Sequence, residues 1–422
     1  MVDVPQSGSR LKLAWTDFAG TRLDLKIHDS VLGTRCAKQS WVDGRDYCTP
    51  AFDSIYQYAD AQCTQGAVDA PFAADVEVAC GNRVRVARLY RTGPPQTVSK
   101  IYTRDGLGNC VGEDFTTTVR ITTTAVTNLV ELTMQTDAST VRLAPQWLVA
   151  TDGLRLPTGV RDTRLDVDCA FDHRESEAAT DRCLPAGARV AHDFADANCE
   201  SPGASSEMSC PPITIATRRE ATCEIDGTST FRVGEPSATT YERINNVACT
   251  PHGWSEPIAT FPIVRELPPV DAPTAIATTA PRISPIVYRF GDRERDSGRA
   301  FDNVLDVECK PVRDFATSQI RCVPDSPAAF GVQEVYTDAS CQTPPILLLE
   351  VARGTPSCPI PNPGRYVHFY GRAYQVGEAI GGPLYLGFPS CRVFPDRPWF
   401  ARFRATQMPL TAFALGSEMV AP

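Results

Sequence analysis

The chain has 422 residues, and its 42% hydrophobic and 22% charged residues are typical of a folded globular protein. These proportions exclude a disordered tail and a bundle of membrane helices. The formal net charge of -9 leaves no basic footprint, so nucleic acid is not expected among the partners.

The predicted elements begin with a short N-terminal tail, residues 1–9. This tail lacks the apolar segment that a signal peptide carries, so we expect no signal peptide in this sequence. The longest apolar stretch, residues 344–352, is too short to span a bilayer. We therefore expect no transmembrane segment.

Sixteen cysteines are the most informative feature of the composition. None occurs in a C-x-x-C pair, the spacing with which two thiolates reach one zinc ion. The shortest intervals, such as Cys36 to Cys48, are loop-sized and favour cross-links between neighbouring strands. The sequence therefore predicts disulfides and an oxidising compartment, either extracellular or in a bacterial cell envelope, at the outer surface or in the periplasm.

A threefold repeat organises the chain. Its signatures occur three times in the same order: D-x-x-L-x-[TV]-x-C at 29–36, 162–169 and 302–309; C-x-P at 48–50, 183–185 and 322–324; and [FY]-[AT]-D-A-x-C at 58–63, 194–199 and 336–341. A fourth and a fifth cysteine follow in each copy, at Cys80 and Cys110, Cys210 and Cys249, and Cys358 and Cys391. The predicted repeats have about 140 residues each and span 10–142, 143–282 and 283–422.

Within each copy the local pattern is that of β-structure. Segments such as 10–15 and 116–122 alternate apolar and polar residues or are rich in β-branched residues. The 35 prolines and 28 glycines separate short strands, and no long segment has helical period. The predicted fold is all-β: three disulfide-stapled repeats that form a six-bladed β-propeller with two blades per repeat, or alternatively three tandem β-sandwich or barrel domains.

The repeated strings resemble those of cysteine-rich secreted or lipid-anchored surface proteins predicted in myxobacteria. The resemblance covers all three copies and is best at residues 162–169, 182–185 and 194–199. The first copy departs from it at Gly33 and Tyr47, where the other copies have aspartate and arginine. The resemblance implies a lipoprotein-like protein of the cell envelope or the exterior, and it implies no catalytic activity.

The spacing of the cysteines leaves the disulfide connectivity open. The simplest scheme joins the first cysteine to the second and the third to the fourth in each copy, with an extra Cys223–Cys249 bridge in the middle copy. Cys110 and Cys391 then have no neighbouring partner, so either one predicted pair is wrong or two thiols are free. The cysteines expected in disulfides are Cys36, Cys48, Cys63, Cys80, Cys169, Cys183, Cys199, Cys210, Cys223, Cys249, Cys309, Cys322, Cys341 and Cys358.

Two sets of repeated aspartates are candidates for ligands or for turns. One set lies in the D-A-x-C string and the other opens the first signature: Asp60, Asp196 and Asp338, and Asp29, Asp162 and Asp302. In both sets we expect the carboxylate to accept backbone N–H bonds within a turn, a role that suits aspartate. No cofactor is expected. The acid-rich loops 105–109 and 292–296 could hold calcium through oxygen ligands, but neither loop has the EF-hand spacing and solvated turns are favoured.

The third copy carries the candidate partner surface. It is locally rich in aromatic residues and arginine, a composition that is enriched at interfaces. The surface consists of Tyr366, His368, Tyr370, Arg372, Trp399, Arg402 and Arg404. The repeated aromatic residues Tyr58, Phe194 and Tyr336 are instead expected to pack against the disulfides.

These observations favour a non-enzymatic extracellular or cell-surface protein that acts in binding or adhesion. A repeated unit suits binding and assembly, so the expected partner is a glycan, a protein ligand or further copies of the same chain. One alternative is a structural subunit of an extracellular assembly. The other is a propeller-type glycan hydrolase, because paired carboxylates need only meet in space and 50 acidic residues are present.

Overall fold

The structure, a computed structural model, describes residues 4–79, 84–137, 142–172, 180–185, 188–207, 214–219, 228–237, 239–244, 248–251, 258–267, 270–276, 282–290, 293–314, 317–324, 329–352, 365–369, 372–387, 390–395, 397 and 400–422. Within these residues the only helical element is a short 3-10 helix, Leu410–Ala412. Among the described residues there is no helix whose length and hydrophobicity would let it span a lipid bilayer.

The described residues form 36 strands, twelve in each predicted repeat. The first repeat contains β1 (Leu11–Phe18), β2 (Thr21–Asp29), β3 (Thr34–Ser40), β4 (Asp46–Pro50), β5 (Asp53–Ser54), β6 (Gln57–Tyr58), β7 (Ala67–Val68), β8 (Phe72–Val78), β9 (Val84–Thr92), β10 (Gln96–Arg104), β11 (Cys110–Ala125) and β12 (Glu131–Thr136). The second contains β13 (Leu143–Ala150), β14 (Arg155–Asp162), β15 (Val167–Asp172), β16 (Thr180–Pro185), β17 (Ala188–Phe194), β18 (Pro202–Glu207), β19 (Ile215–Arg219), β20 (Thr228–Val233), β21 (Tyr241–Ile244), β22 (Ala248–Pro251), β23 (Ile258–Leu267) and β24 (Val270–Ile276). The third contains β25 (Ile283–Phe290), β26 (Arg293–Asp302), β27 (Val307–Arg313), β28 (Ile320–Pro324), β29 (Ala329–Val335), β30 (Ile346–Ala352), β31 (Tyr366–Phe369), β32 (Arg372–Ala379), β33 (Tyr385–Leu386), β34 (Arg392–Val393), β35 (Phe400–Gln407) and β36 (Leu415–Val420).

Fifteen strands pair into a closed barrel, called here the central barrel. Their order is β1-β2-β3-β4-β12-β13-β14-β15-β16-β24-β25-β26-β27-β28-β36, and β36 pairs with β1 to close it. Each predicted repeat contributes its first four strands and its last strand. The last strand of one repeat pairs with the first strand of the next, as Leu132 with Ala150, so the barrel is one hydrogen-bonded unit.

The other strands of each repeat form a sheet inserted between its fourth and last barrel strands. The first inserted sheet is built from β5 to β11, the second from β17 to β23 and the third from β29 to β32 together with β35. The third has the order β29-β30-β35-β32-β31, with β33 and β34 as a separate pair. Each inserted sheet is therefore an excursion of the chain from a continuous barrel.

The all-β class and the disulfide staples that the sequence predicts are confirmed. The strand order differs from the predicted propeller, because it does not divide into six four-stranded blades. Propeller blades are separate sheets around a channel, whereas hydrogen bonds here run from strand to strand around the central barrel. The same continuity distinguishes the structure from three tandem sandwiches, since each junction between repeats lies inside the barrel.

The core of the central barrel joins strands from different repeats. Side chains alternate between the two faces of a strand, and in β1 and β2 one face is apolar. Leu11 packs with Leu148 of the second repeat, and Phe18 packs with Ile283 of the third. Full burial of side chains of this size contributes about 1.5–3 kcal/mol each relative to exposure.

A buried ion pair recurs at the same place in each repeat. Each carboxylate has no exposed surface and binds the arginine that precedes the residue opposite it in a hairpin: Arg10–Asp29 at 2.6 Å, Arg142–Asp162 at 2.8 Å and Arg282–Asp302 at 3.0 Å. Asp162 Oδ1 also accepts the backbone N–H groups of Arg164 and Leu165, which is the turn role expected from the sequence. Burial alone would raise the pKa of Asp29, but hydrogen bonds from Arg10 and the backbone outweigh it and lower that pKa.

The first and second cysteines of each repeat are bonded, as predicted. The bridges join β3 to β4, β15 to β16 and β27 to β28: Cys36–Cys48, Cys169–Cys183 and Cys309–Cys322. In each case the two strands are neighbours in the barrel, so the bridge fixes a hairpin.

The predicted pairing of the third cysteine with the fourth is wrong. The third cysteine bonds instead to the fifth: Cys63–Cys110, Cys199–Cys249 and Cys341–Cys391. In the first repeat the reason is the β10–β11 hairpin, in which Arg104 opposes Cys110 while Tyr102 opposes Tyr58 beside the turn. This geometry also overturns the Cys223–Cys249 pair and the expectation that Cys110 and Cys391 lack partners. The remaining cysteines, Cys80, Cys210, Cys223 and Cys358, lie outside the described residues.

Candidate binding surface on the third inserted sheet

The predicted partner surface falls on the third inserted sheet. Tyr366 and His368 lie on β31, Arg372 on β32, and Arg402 and Arg404 on β35. Tyr370 and Trp399 lie outside the described residues.

These five residues do not form one exposed patch. Tyr366 is buried, with 6% of its surface exposed, and His368 is half-buried. Arg372 and Arg404 are exposed, while Arg402 keeps 12% of its side chain exposed. The side chains of Tyr366 and His368 thus serve packing more than contact with a partner.

The sheet has one apolar face and one face with charged residues. On the apolar face Leu349, Val367 and Phe403 pack together in a single cluster. Because side chains alternate along a strand, Arg402 and Arg404 on β35 point to the opposite face, and so does Glu350 on β30. We call the face that carries Arg397, Arg402 and Arg404 the arginine face.

Glu350 is the buried charge at the centre of the arginine face. Its exposed fraction is 1%, and its Oε2 accepts Arg397 Nη1 at 3.3 Å and Gln333 Nε2 at 3.5 Å. Arg402 Nε lies 3.9 Å from Glu350 Oε1. Burial raises the pKa of the Glu350 carboxyl, and the positive charges of Arg397 and Arg402 oppose that rise without cancelling it.

The segment around Phe394 covers this carboxylate. The guanidinium groups of Arg402 and Arg397 lie 5.0 Å and 5.8 Å from the centre of the Phe394 ring. Arg402 Nη2 also donates to the carbonyl oxygen of Pro395 at 2.7 Å. One aromatic ring therefore orients both guanidinium groups, and Arg397, 42% exposed, carries the positive charge to solvent.

The corresponding position of the second inserted sheet has no charge. There Ser205 opposes Thr260, as Glu350 opposes Arg402 in the third sheet. The hydroxyl of Thr260 lies 3.1 Å from that of Ser205 and 2.6 Å from that of Thr240. A neutral hydroxyl network thus occupies the place of the ion pair. Glu350 was not predicted from the sequence because it lies in an apolar segment that contains no repeated string.

The contacts of Glu350 are not those of a glycosidase. Such an enzyme needs two carboxyl groups on either side of a sugar bond, whereas Glu350 contacts two guanidinium groups and an amide. The guanidinium groups around Glu350 carry positive charge and can pair with an anionic group, since guanidinium groups bind carboxylate or sulfate through paired hydrogen bonds.

The aspartates of the D-A-x-C string act as turn acceptors. Asp338 accepts the backbone N–H groups of Ser340, Gln342 and Thr343, and Cys341 follows in a left-handed conformation with φ of 52°. Hydrogen bonds from the side chains of Ser340 and Thr343, and then from the backbone, hold the pKa of Asp338 well below its usual range. Asp60 and Asp196 accept backbone N–H groups in the same way.

The repeated aromatic residues before these turns are half-buried and lie beneath arginines in two repeats. Arg104 lies 5.4 Å from the Tyr58 ring and donates to the carbonyl oxygen of Cys63. Arg243 makes the same pair of contacts with Phe194 and Cys199.

The third repeat departs from this arrangement. In the first two repeats the arginine lies two residues after a tyrosine, and in the third repeat Gly387 occupies this position after Tyr385. A side chain at Gly387 would collide with the Tyr336 ring. Tyr336 therefore takes the space that an arginine fills in the first two repeats.

No group of three or more metal-ligating side chains occurs among the residues that the structure describes. In the loop 105–109, Asp105 accepts the backbone N–H groups of Leu107 and Asn109, as a turn residue does. The second acid-rich loop begins at Asp292, outside the described residues.

The profile of one protein family, described as a family of unknown function (DUF7481), matches residues 1–392. No curated protein and no solved structure matches the chain.

Proposed function

Because the chain belongs to DUF7481, a family of unknown function, we propose a function from its own geometry: a non-enzymatic binding protein of an extracellular or cell-envelope compartment. The arginine face of the third inserted sheet is its ligand surface, and an acidic glycan is the ligand. The central barrel acts as the scaffold that presents this sheet.

The observation that carries the proposal is the pairing of two guanidinium groups with the single carboxylate of Glu350. One positive charge is left over, and the exposed side chain of Arg397 presents it to solvent. Arg404, 47% exposed, lies two residues beyond Arg402 on the same face, and its Nε lies 3.5 Å from the exposed carboxylate of Glu378. A row of guanidinium groups oriented by an aromatic ring suits the carboxylate or sulfate groups of an acidic polysaccharide.

The distribution of charge among the inserted segments supports this choice of ligand. Residues 325–414 hold seven arginines and six acidic residues, in a chain whose net charge is -9. The corresponding residues 186–269 of the second repeat hold six arginines and eleven acidic residues. An acidic ligand is therefore repelled more strongly by the second inserted segment than by the third.

The disulfides support the choice of compartment. Every cysteine that the structure describes, twelve in all, forms a bridge. Bridges persist in oxidising compartments and are rare where thiols are kept reduced. A long-lived extracellular scaffold gains from each of them, by about 2–4 kcal/mol.

The test is binding of the purified chain to polygalacturonate, an acidic polysaccharide, with dextran as the neutral control. We expect polygalacturonate to bind, dextran not to bind, and added salt to weaken the complex. The substitutions R397A and R404A should lower the affinity about three- to tenfold. R404A leaves the contacts of Glu350 in place and removes an exposed pair with Glu378, so its effect does not depend on the buried charge.

The matched control is R161A, which removes a half-buried arginine of the central barrel that pairs with the exposed residues Asp166 and Asp168. It should leave the affinity unchanged. Equal binding of dextran, or equal effects of R404A and R161A, would contradict the proposal.

A further inference from the structure

The central barrel closes at a seam between the two ends of the chain. β36 pairs with β28 at two positions, Ile320 with Gly416 and Arg321 with Leu415. It pairs with β1 at four positions, from Ala14 with Val420 to Asp17 with Ser417. At the other junctions between repeats, β12 and β13 or β24 and β25, the paired strands follow one another in the chain. The β1–β36 pair has no such connection, so only non-covalent contacts hold it.

The closing strand buries little of its own surface. Five of its six residues are exposed, among them Leu415 at 56%, Met419 at 45% and Val420 at 45%. By contrast, Phe413 just before the strand is 1% exposed and packs with Val323 and Ala373. The chain is thus anchored up to Ala414, which is buried and accepts the Cys322 N–H, and the strand beyond it depends on few apolar contacts.

One carboxylate holds the seam from both sides. Glu418 accepts Arg35 Nη2 of β3 at 2.6 Å, and it also pairs with Arg313 of β27. Arg35 belongs to the first repeat and Arg313 to the third. The side chain of Glu418 is 40% exposed, so each contact is of the modest strength typical of surface pairs.

A cavity of about 570 Å³ lies beside β36, between the ends of two hairpins. Asp17 and Ala19 of the β1–β2 hairpin form one side, and Ser318 and Gln319 before β28 form the other. The strand therefore has open space next to it into which it can move without displacing a packed element.

We propose that β36 is an exchangeable strand, and that two copies of this chain associate by inserting each other's β36 into the seam between β1 and β28. The strand of a second copy brings the same register and the same carboxylate for Arg35 and Arg313. It also brings Gly416, where a Cβ atom would lie 2.7 Å from side-chain atoms of Phe18 and Thr16. An identical strand meets all these conditions, so the partner that fits the seam is a second copy.

Exchange of this kind keeps every contact of the closed chain and adds only the new contacts between copies. Its rate is then set by the release of β36 from its own seam. Reciprocal exchange gives a closed dimer, while one-way exchange gives an open row of copies.

The test uses the full chain in two forms with different affinity tags, mixed at high concentration and assayed over time for complexes that carry both tags. Light scattering gives their mass. We expect mixed dimers or larger species to form slowly, and E418Q to speed their formation about two- to tenfold because it weakens both surface pairs that retain the strand.

Two variants separate exchange from other kinds of association. E131Q is the matched control, because Glu131 on β12 pairs with Arg45 but its strand pairs with β13, the next strand of the chain; it should leave the rate unchanged. A circular permutant that joins Pro422 to Val4 through a flexible linker and opens the chain in the exposed turn at Gly106 should stay monomeric, since its seam is continuous. A wild-type chain that stays monomeric, equal rates for E418Q and E131Q, or a permutant that still associates would each overturn the proposal.

Discussion

Arg142 Nη2 lies 2.8 Å from Asp162 Oδ2, and the carboxylate is completely buried while 27% of the arginine side chain remains exposed. The guanidinium group therefore caps a carboxylate that has no access to water. The equivalent pairs Arg10–Asp29 and Arg282–Asp302 place the same cap in the other two repeats. A charge buried in this way is costly unless its partner is present.

We expect R142M to lower the free energy of unfolding by about 3 kcal/mol. Methionine keeps much of the apolar stem but leaves the Asp162 carboxylate buried without a countercharge. Urea denaturation of the wild type and the variant at neutral pH measures the difference.

R161M is the control for this substitution. Arg161 also pairs with two aspartates, but Asp166 and Asp168 are 85% and 52% exposed. Loss of such surface pairs should cost at most about 1 kcal/mol. If R142M and R161M lower the stability equally, the ion pair at Asp162 does not have the role assigned here.

The sequence predicts the aspartate of each buried ion pair but not the arginine. Asp29, Asp162 and Asp302 belong to a repeated string, so their turn role could be inferred. Their arginines lie 19 or 20 residues earlier, outside any string. They reach the carboxylates because Leu11 opposes Asp29 in the hairpin register, and its equivalents do the same. Register depends on turns and bulges that a pattern of residue types does not specify.

The closed barrel and the third-to-fifth disulfides could not be predicted from the sequence for a related reason. Both depend on contacts between residues far apart in the chain, such as Ala14 with Val420 and Cys63 with Cys110. Periodicity indicates that a strand exists but not which strand lies beside it. The arginine face shows the same limit, because Arg402 was predicted and its buried partner Glu350 was not.

The two classes of disulfide should differ in their contribution to stability. Cys63–Cys110 closes a loop of 47 residues in sequence separation, whereas Cys36–Cys48 closes one of 12. If the bridge acts by restricting the unfolded chain, C63S/C110S should lose about 4 kcal/mol and C36S/C48S about 3 kcal/mol. Denaturation of both double variants measures this order.

Peptide mapping without reduction provides an independent check of the pairing. Proteolysis should release a linked peptide that contains Cys63 and Cys110. A linked peptide that joins Cys63 to Cys80 would show that the third-to-fifth pairing is incorrect and would remove the basis for the predicted order.

The turn before Cys341 should make the stability depend on pH. Asp338 has a lowered pKa in the folded chain, so its ionised form stabilises the fold. That contribution is complete above the ordinary aspartate value of 3.8 and is lost as the pH falls through the lower folded value. We expect D338N to melt at a lower temperature than the wild type at pH 7, and the gap to narrow as the pH falls below about 4.

D114N is the control for D338N. Asp114 is 91% exposed, and its ion-pair partner is Lys100 at 3.4 Å. The melting temperature of D114N should follow that of the wild type at every pH. A gap between D338N and the wild type that stays constant with pH would show that the turn does not depend on the ionised carboxylate.

Glu350 should give the opposite dependence on pH. Burial raises its pKa above the ordinary value of 4.5, so the folded chain holds this proton more tightly than the unfolded chain does. The stability of the wild type relative to E350Q should therefore fall as the pH rises from 4.5 through the higher folded value. Denaturation of both proteins between pH 4 and pH 8 measures the trend. A relative stability that rises with pH would mean that Arg397 and Arg402 outweigh burial, in which case the carboxylate serves mainly to hold the two arginines.

The variant E350Q should also change ligand binding. It removes the negative charge beneath the arginine face, and the greater excess of positive charge on that face attracts an acidic chain. At neutral pH, E350Q should therefore bind polygalacturonate more tightly than the wild type.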